Sequence, residues 1–138
     1  MFETILVPTD FSDEDRNSID IALKLCSSDI GKIYLLHVIE VIANTTFEEF
    51  QEFYSVLEKR AFKDMAGLIA RIQGKADVVS RVVYGNRAQE ILRFAEENNA
   101  DLIVMKSHRI DVEDRAQGWG TISYKVGILA QCPVMLVK

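Results

Sequence analysis

Apolar positions along the chain follow two alternating periods. Five short runs, Thr4-Ile5-Leu6-Val7, Ile33-Tyr34-Leu35-Leu36-His37-Val38-Ile39, Val78-Val79-Ser80-Arg81-Val82-Val83, Leu102-Ile103-Val104-Met105 and Pro133-Val134-Met135-Leu136-Val137, are separated by four segments in which apolar residues recur every three or four positions. This spacing predicts the element order βαβαβαβαβ. The first, second and fourth runs are almost continuously apolar, as a strand covered on both faces must be, so the expected sheet is parallel with helices on both sides. Such alternation favours right-handed crossovers and an open α/β sandwich. No linker, low-complexity tract or internal repeat interrupts the pattern, so residues 1–138 read as a single domain.

The helical segments carry their own start and stop signals. Ser12 is the expected cap of the first helix, whose Ile19, Ala22, Leu23 and Cys26 share one face, with Gly31 beyond its end. Thr46 and Glu49 have the spacing of a capping box for a long second helix that Gly74 stops. Its stripe of Phe50, Tyr54, Leu57, Ala61, Met65, Leu68 and Ile72 is expected to be core rather than a ligand face. Asn86 is the expected cap of the third helix, with Ala88, Ile91, Leu92 and Ala95 inward. A fourth helix is expected from Gly120-Thr121, with Ile122, Val126 and Leu129 inward.

Composition narrows the function classes. The formal charge of -5 makes the chain as a whole repel a phosphate backbone, which argues against a nucleic-acid partner. No apolar stretch approaches the roughly 20 residues of a membrane span, and Met1-Phe2-Glu3 lacks the basic region of a secretory signal, so no membrane association and a cytoplasmic location are expected. Cys26 and Cys132 are too few for a disulfide framework and sit in apolar contexts typical of buried thiols.

In an open parallel sheet a ligand binds beyond the carboxyl ends of the strands, where strand order reverses. Two connections qualify. Pro8-Thr9-Asp10-Phe11-Ser12 puts a carboxylate and two hydroxyls directly after strand one, and Lys106 to Thr121 is long for this kind of fold. Asp10 there has the readings of a metal ligand, a ribose contact, a phosphoacceptor or a solvated turn acid near a helix N-terminus. His37 reads as a strand histidine with a satisfied ring, and His108 with Asp111, Glu113 and Asp114 as a solvated loop rather than a metal cluster. Trp119 is expected to pack at the helix entrance or an interface. No Ser-His-Asp or Cys-His set occupies strand ends, so turnover is not the expected mode of action.

Val7-Pro8-Thr9-Asp10, Leu36-His37-Val38, Asp101-Leu102-Ile103-Val104-Met105, Gly120-Thr121 and Cys132-Pro133-Val134 together resemble the universal stress protein family (UspA-like domain) over essentially the full length. The resemblance implies a Rossmann-like, adenine nucleotide alpha hydrolase-like sandwich with sheet order 3-2-1-4-5. It also implies an adenine-nucleotide pocket between strands one and four that acts by binding in stress response. Carried onto this chain, Pro8, Thr9, Asp10 and Val38 would face base and ribose. The loop after Met105, with Lys106, Ser107 and Arg109, and the helix start Gly120-Thr121 would face phosphates, helped by backbone N–H groups there, and Met105 and Ile122 complete the candidate nucleotide site. The implied ligand is ATP or AMP, with Mg2+ if ATP. A homodimer is implied as well, its seam the edge strand Val134, Met135, Leu136 and Val137.

One segment departs from the family. ATP-binding members carry Gly-x2-Gly-x9-Gly-Ser/Thr after strand four, whereas this chain has Lys106-Ser107-His108-Arg109 and then, after ten intervening residues, Gly120-Thr121. Lys106 and Arg109 either block the phosphate path or clamp a phosphate by charge. The acids Asp111, Glu113 and Asp114 favour blockage for ATP, leaving AMP in the half of the pocket built from Pro8, Thr9, Asp10 and Val38. The alternatives are a nucleotide-free dimeric interaction protein of the same family, and a phosphoacceptor or hydrolase centred on Asp10, for which strand five offers only the terminal Lys138 as a lysine partner.

Overall fold

A computed structural model of the chain describes residues 2–27, 29–42, 45–72, 74–107 and 122–138. The elements are β1 (Thr4–Pro8), α1 (Asp15–Leu25), β2 (Lys32–Glu40), a 3-10 turn (Glu48–Phe50), α2 (Gln51–Ile72), β3 (Asp77–Gly85), α3 (Arg87–Glu97), β4 (Leu102–Lys106), α4 (Ile122–Leu129) and β5 (Val134–Val137). All five strands form one parallel sheet in the order β3-β2-β1-β4-β5.

The continuous apolar run of β1 has a direct physical reason. Successive side chains of a strand point to opposite faces. Ile5 and Val7 enter a core with Ile19 and Ala22 of α1 and Met65, Leu68 and Ile72 of α2. Leu6 enters the other core, with Ile91 and Ala95 of α3 and Val126 of α4. All three β1 residues are fully buried. The chain therefore changes sheet face on either side of β1, and the switch point falls between β1 and β4.

Register turns that switch point into an opening. β1 pairs with β2 along its whole length, Thr4 beside Lys32 through Pro8 beside Leu36, and continues as the Thr9 amide donates to the Leu36 carbonyl at 2.8 Å. Against β4 it pairs only at Ile5 with Leu102 and Leu6 with Ile103. Beyond that point β4 follows β5, with Lys106 beside Val137 and the Ser107 amide donating to the Val137 carbonyl at 2.7 Å.

Several local expectations change. Ser12 does not cap α1: the helix opens at Asp15, Glu14 precedes it without a side-chain cap, and the Ser12 hydroxyl turns to Lys106 instead. Thr46 does accept from the Glu49 amide at 3.3 Å, but the turn it starts is 3-10 before α2 begins. Phe50 lies at that junction and is exposed, and Leu129, expected inward, is 58% exposed because α4 ends there, past Ile122 and Val126, which do pack on the core as expected. Cys26 and Cys132 are half-buried rather than buried. Asn86 caps α3 as expected, accepting from the Gln89 amide at 3.1 Å. Gly74 takes φ +85°, the left-handed conformation that lets the chain leave α2 without a Cβ penalty. The expected helix start at Gly120-Thr121, together with Arg109, His108, Asp111, Glu113, Asp114 and Trp119, lies outside the described residues.

Candidate functional site

The loop after β1 is shaped by its own side chains. Thr9 is buried, and its hydroxyl donates to Asp15 Oδ2 at 2.6 Å while accepting from the Phe11 amide at 3.0 Å. The Asp10 amide donates to the same Asp15 oxygen at 3.0 Å, and Asp10 Oδ1 accepts from the Ser12 amide at 3.0 Å, which closes a tight Asx turn. Phe11 is held at φ 66°, a left-handed conformation costly for a residue with a side chain. Its ring packs against His37, tilted by 35° at a centroid distance of 4.5 Å, and His37 Nδ1 lies 2.8 Å from the Thr9 carbonyl, the geometry of an Nδ1–H donor. His37 is thus a satisfied strand histidine.

Across the switch point, Lys106 at the end of β4 reaches the same loop. Its Nζ donates to Asp10 Oδ2 at 2.6 Å and to Ser12 Oγ at 2.5 Å, and lies 3.9 Å from Asp15 Oδ1. One ammonium therefore faces two carboxylates. Burial pushes the Asp10 carboxyl up, but hydrogen bonds from Lys106 and Ser12 outweigh it and hold the group well below the usual carboxylate range. Asp15 goes the other way: it is 2% exposed, and desolvation, with the Asp10 charge adding to it, outweighs the Thr9 and Lys106 contacts and raises its pKa above 3.8. Asp15 Oδ1 accepts no hydrogen bond.

Above this clasp lies a cavity of about 210 Å³. Pro8, Leu36, Val38, Ile91, Met105 and Ile122 give it apolar walls, and Thr9, Asp10, Glu14, Asp15, Arg87, Lys106, Ser107 and Ser123 a polar rim. The structure thus brings Pro8, Thr9, Asp10, Val38, Met105, Lys106, Ser107 and Ile122 into one cleft, while Arg109, Gly120 and Thr121 lie outside the described residues. The sequence reading missed the polar lining residues Glu14, Asp15, Arg87 and Ser123. Asp15 had a signal, because it precedes Ser18, Ile19 and Ala22 by three, four and seven positions and so stands on the inward stripe of α1. The lysine sought for Asp10 on β5 comes instead from β4; Lys138 donates to Tyr124. Ser107 and Ser123 hydroxyls lie 3.0 Å apart.

A second groove of about 570 Å³ runs between α1 and α2. Its rim mixes Arg16, Lys63, Arg71 and Lys75 with Asp13, Asp20 and Asp64, so it favours neither sign of charge. No group of three or more His, Cys, Asp or Glu among the described residues is placed to hold a metal ion. Asp10 and Asp15 fit Mg2+ poorly, since the Lys106 ammonium already stands between them. Burial raises the pKa of both Cys26 and Cys132, which disfavours the reactive thiolate.

The universal stress protein family model matches residues 1–138. The chain belongs to this family. Among its relatives, universal stress protein YxiE of Bacillus subtilis is 28% identical over a 149-residue alignment covering all of both chains. A universal stress protein of Thermus aquaticus is 30% identical over 139 residues, again covering all of both. Among solved structures, the protein MJ0577 superposes with a TM-score of 0.84 at 27% identity over 100% of this chain and 96% of its own. Two relatives at 19% identity share the fold. One is the Archaeoglobus fulgidus protein in complex with dAMP, TM-score 0.69 over 99% and 98% of the two chains. The other is a universal stress protein in complex with cAMP, TM-score 0.66 over 99% and 97%.

The two acids of the clasp give opposite pH dependences. Asp10, lowered on folding, stabilises the fold above pH 3.8 and loses that contribution as acid protonates it; Asp15, raised on folding, favours the fold most at low pH and loses that contribution as pH rises above 3.8. Urea unfolding across the acid range should therefore show a shallower acid loss of stability in Asp10→Asn than in the parent and a steeper one in Asp15→Asn. Identical slopes in all three proteins would contradict the assignment.

Proposed function

We propose that the chain is a stress-response binding module, one domain over residues 1–138, that takes an adenine nucleotide or nucleoside in the cleft between β1 and β4 and works by binding rather than turnover. The observation that carries this reading is the cleft itself. It sits at the switch point of the sheet and offers a narrow apolar slot, from Pro8 and Val38 to Met105, beside hydrogen-bonding groups of the Thr9–Asp10 turn. An apolar slot suits a flat base, and the turn suits hydroxyl or amine donors. The dAMP and cAMP complexes of fold relatives support an adenylate as ligand here. ATP with Mg2+ is the less favoured form, because the Lys106 ammonium already stands between the Asp10 and Asp15 carboxylates. Two unpaired cysteines fit a reducing, cytoplasmic setting, and no described helix is long and apolar enough to cross a membrane.

As part of the same proposal the module works as a homodimer through β5. That strand is at the sheet edge, and Met135 stands 37% exposed on it. An apolar edge strand needs pairing or cover.

Two measurements test the proposal. In thermal unfolding, AMP at about 100 times its dissociation constant should add about 2.7 kcal/mol of stability. Asp10→Ala should fold with a loss under about 1 kcal/mol, since its ion pair is partly exposed, yet lose much of that response. No response of the parent to AMP or adenosine would refute nucleotide binding. Light scattering should give a dimer that Met135→Lys dissociates towards the 15.6 kDa monomer; a parent that is already monomeric at micromolar concentration would refute the dimer.

A further inference from the structure

The clasp has a consequence for what the cleft admits, resting on the nucleotide reading above. Lys106 Nζ has Asp10 Oδ2 at 2.6 Å, Ser12 Oγ at 2.5 Å and Asp15 Oδ1 at 3.9 Å. Of the ammonium's three N–H donors, two are engaged in hydrogen bonds to Asp10 and Ser12, and Asp15 Oδ1 is a charge contact beyond hydrogen-bond distance. Two carboxylates share that one positive charge, so the cluster is net negative. Among the described lining residues, Glu14 adds a further acid, and Arg87, the second cation, faces Glu40 at 3.8 Å. Drawing Lys106 away to meet a phosphate would strand the Asp15 carboxylate, which is 2% exposed and has an oxygen that accepts no hydrogen bond. Leaving a buried carboxylate without its counter-charge is costly. The lysine is therefore a structural cation committed to the loop and is not available as a phosphate clamp.

We propose that the Asp10–Lys106–Asp15 clasp is the specificity determinant of the cleft: it makes the β1 end an acceptor-rich, net-negative surface that receives the hydroxyls of a nucleoside and turns away a phosphate chain. The preferred ligand carries no phosphate or one. The determinant is this chain's own geometry, a lysine from the end of β4 answering an acid in the β1 loop and a second acid on the inward stripe of α1.

Calorimetry on the full chain with adenosine, AMP and ATP, each with and without Mg2+, tests this. The parent should bind adenosine or AMP at least about tenfold more tightly than ATP, the scale expected for one uncompensated charge a few ångströms from a polyphosphate. Asp15→Asn and, independently, Asp10→Asn each bring the clasp from one net negative charge to none, so each should narrow the AMP-to-ATP ratio several-fold even if absolute affinity falls. Using both variants keeps the test decisive should Asp15→Asn fail to fold. Equal affinity of the parent for AMP and ATP would overturn the specificity assignment while leaving nucleotide binding intact, as would a folded variant that keeps the full ratio. Failure of all three compounds to bind the parent would instead remove the nucleotide reading, and the specificity assignment with it.

Discussion

Burying the Asp15 carboxylate at the start of α1 requires donors around it, because an ionised acid taken out of water is costly unless it is hydrogen-bonded and paired. The chain meets that demand with the Thr9 hydroxyl, the Asp10 amide and the more distant Lys106 ammonium. Satisfying those contacts fixes the path of the loop after β1. The left-handed conformation of Phe11, the Asx turn from Asp10 to Ser12 and the tilted contact of Phe11 with His37 all belong to the same constrained turn. The loop that borders the cleft is thus held by its own polar contacts.

The sheet supplies the opening that this loop borders. β1 keeps company with β2 past its own end but leaves β4 after two paired residues, and the helices change faces at the same place. The gap at that point is lined by Leu36, Val38, Ile91 and Met105 of the core beneath α3 and α4. Lys106 spans it at the level of the loop, so the region that would otherwise be an open channel along β4 is closed by an ion pair on one side and left apolar on the other.

Much of this architecture was legible in the sequence because it depends on local period. Ile5, Leu6 and Val7 announce a strand covered on both faces, and Asn86 announces its helix through a cap that needs only its own neighbours. What the pattern did not yield depends on partners far away in the chain. Ser12 looked like a cap because caps are judged locally, whereas its hydroxyl is engaged by a lysine 94 residues on. The Asp10–Lys106 pair joins residues 96 apart, and nothing in the composition of either segment indicates it. Phe50 and Leu129 fit the helical period yet sit at helix ends, where the period continues in sequence after the core has stopped in space. Asp15 was visible as a carboxylate on an apolar stripe, a conflict between residue type and position that marks the site.

Titration of isotope-labelled protein with AMP, followed by backbone amide chemical shifts, tests the central claim most directly, since it locates a ligand without presuming its affinity or its effect on stability. The account predicts saturable shifts concentrated at Thr9, Asp10, Val38, Met105 and Ser107, the residues lining the cleft between β1 and β4. Shifts concentrated instead on Arg16, Lys63, Gly67 and Arg71 in the groove between α1 and α2, or no saturable shifts at all, would contradict it.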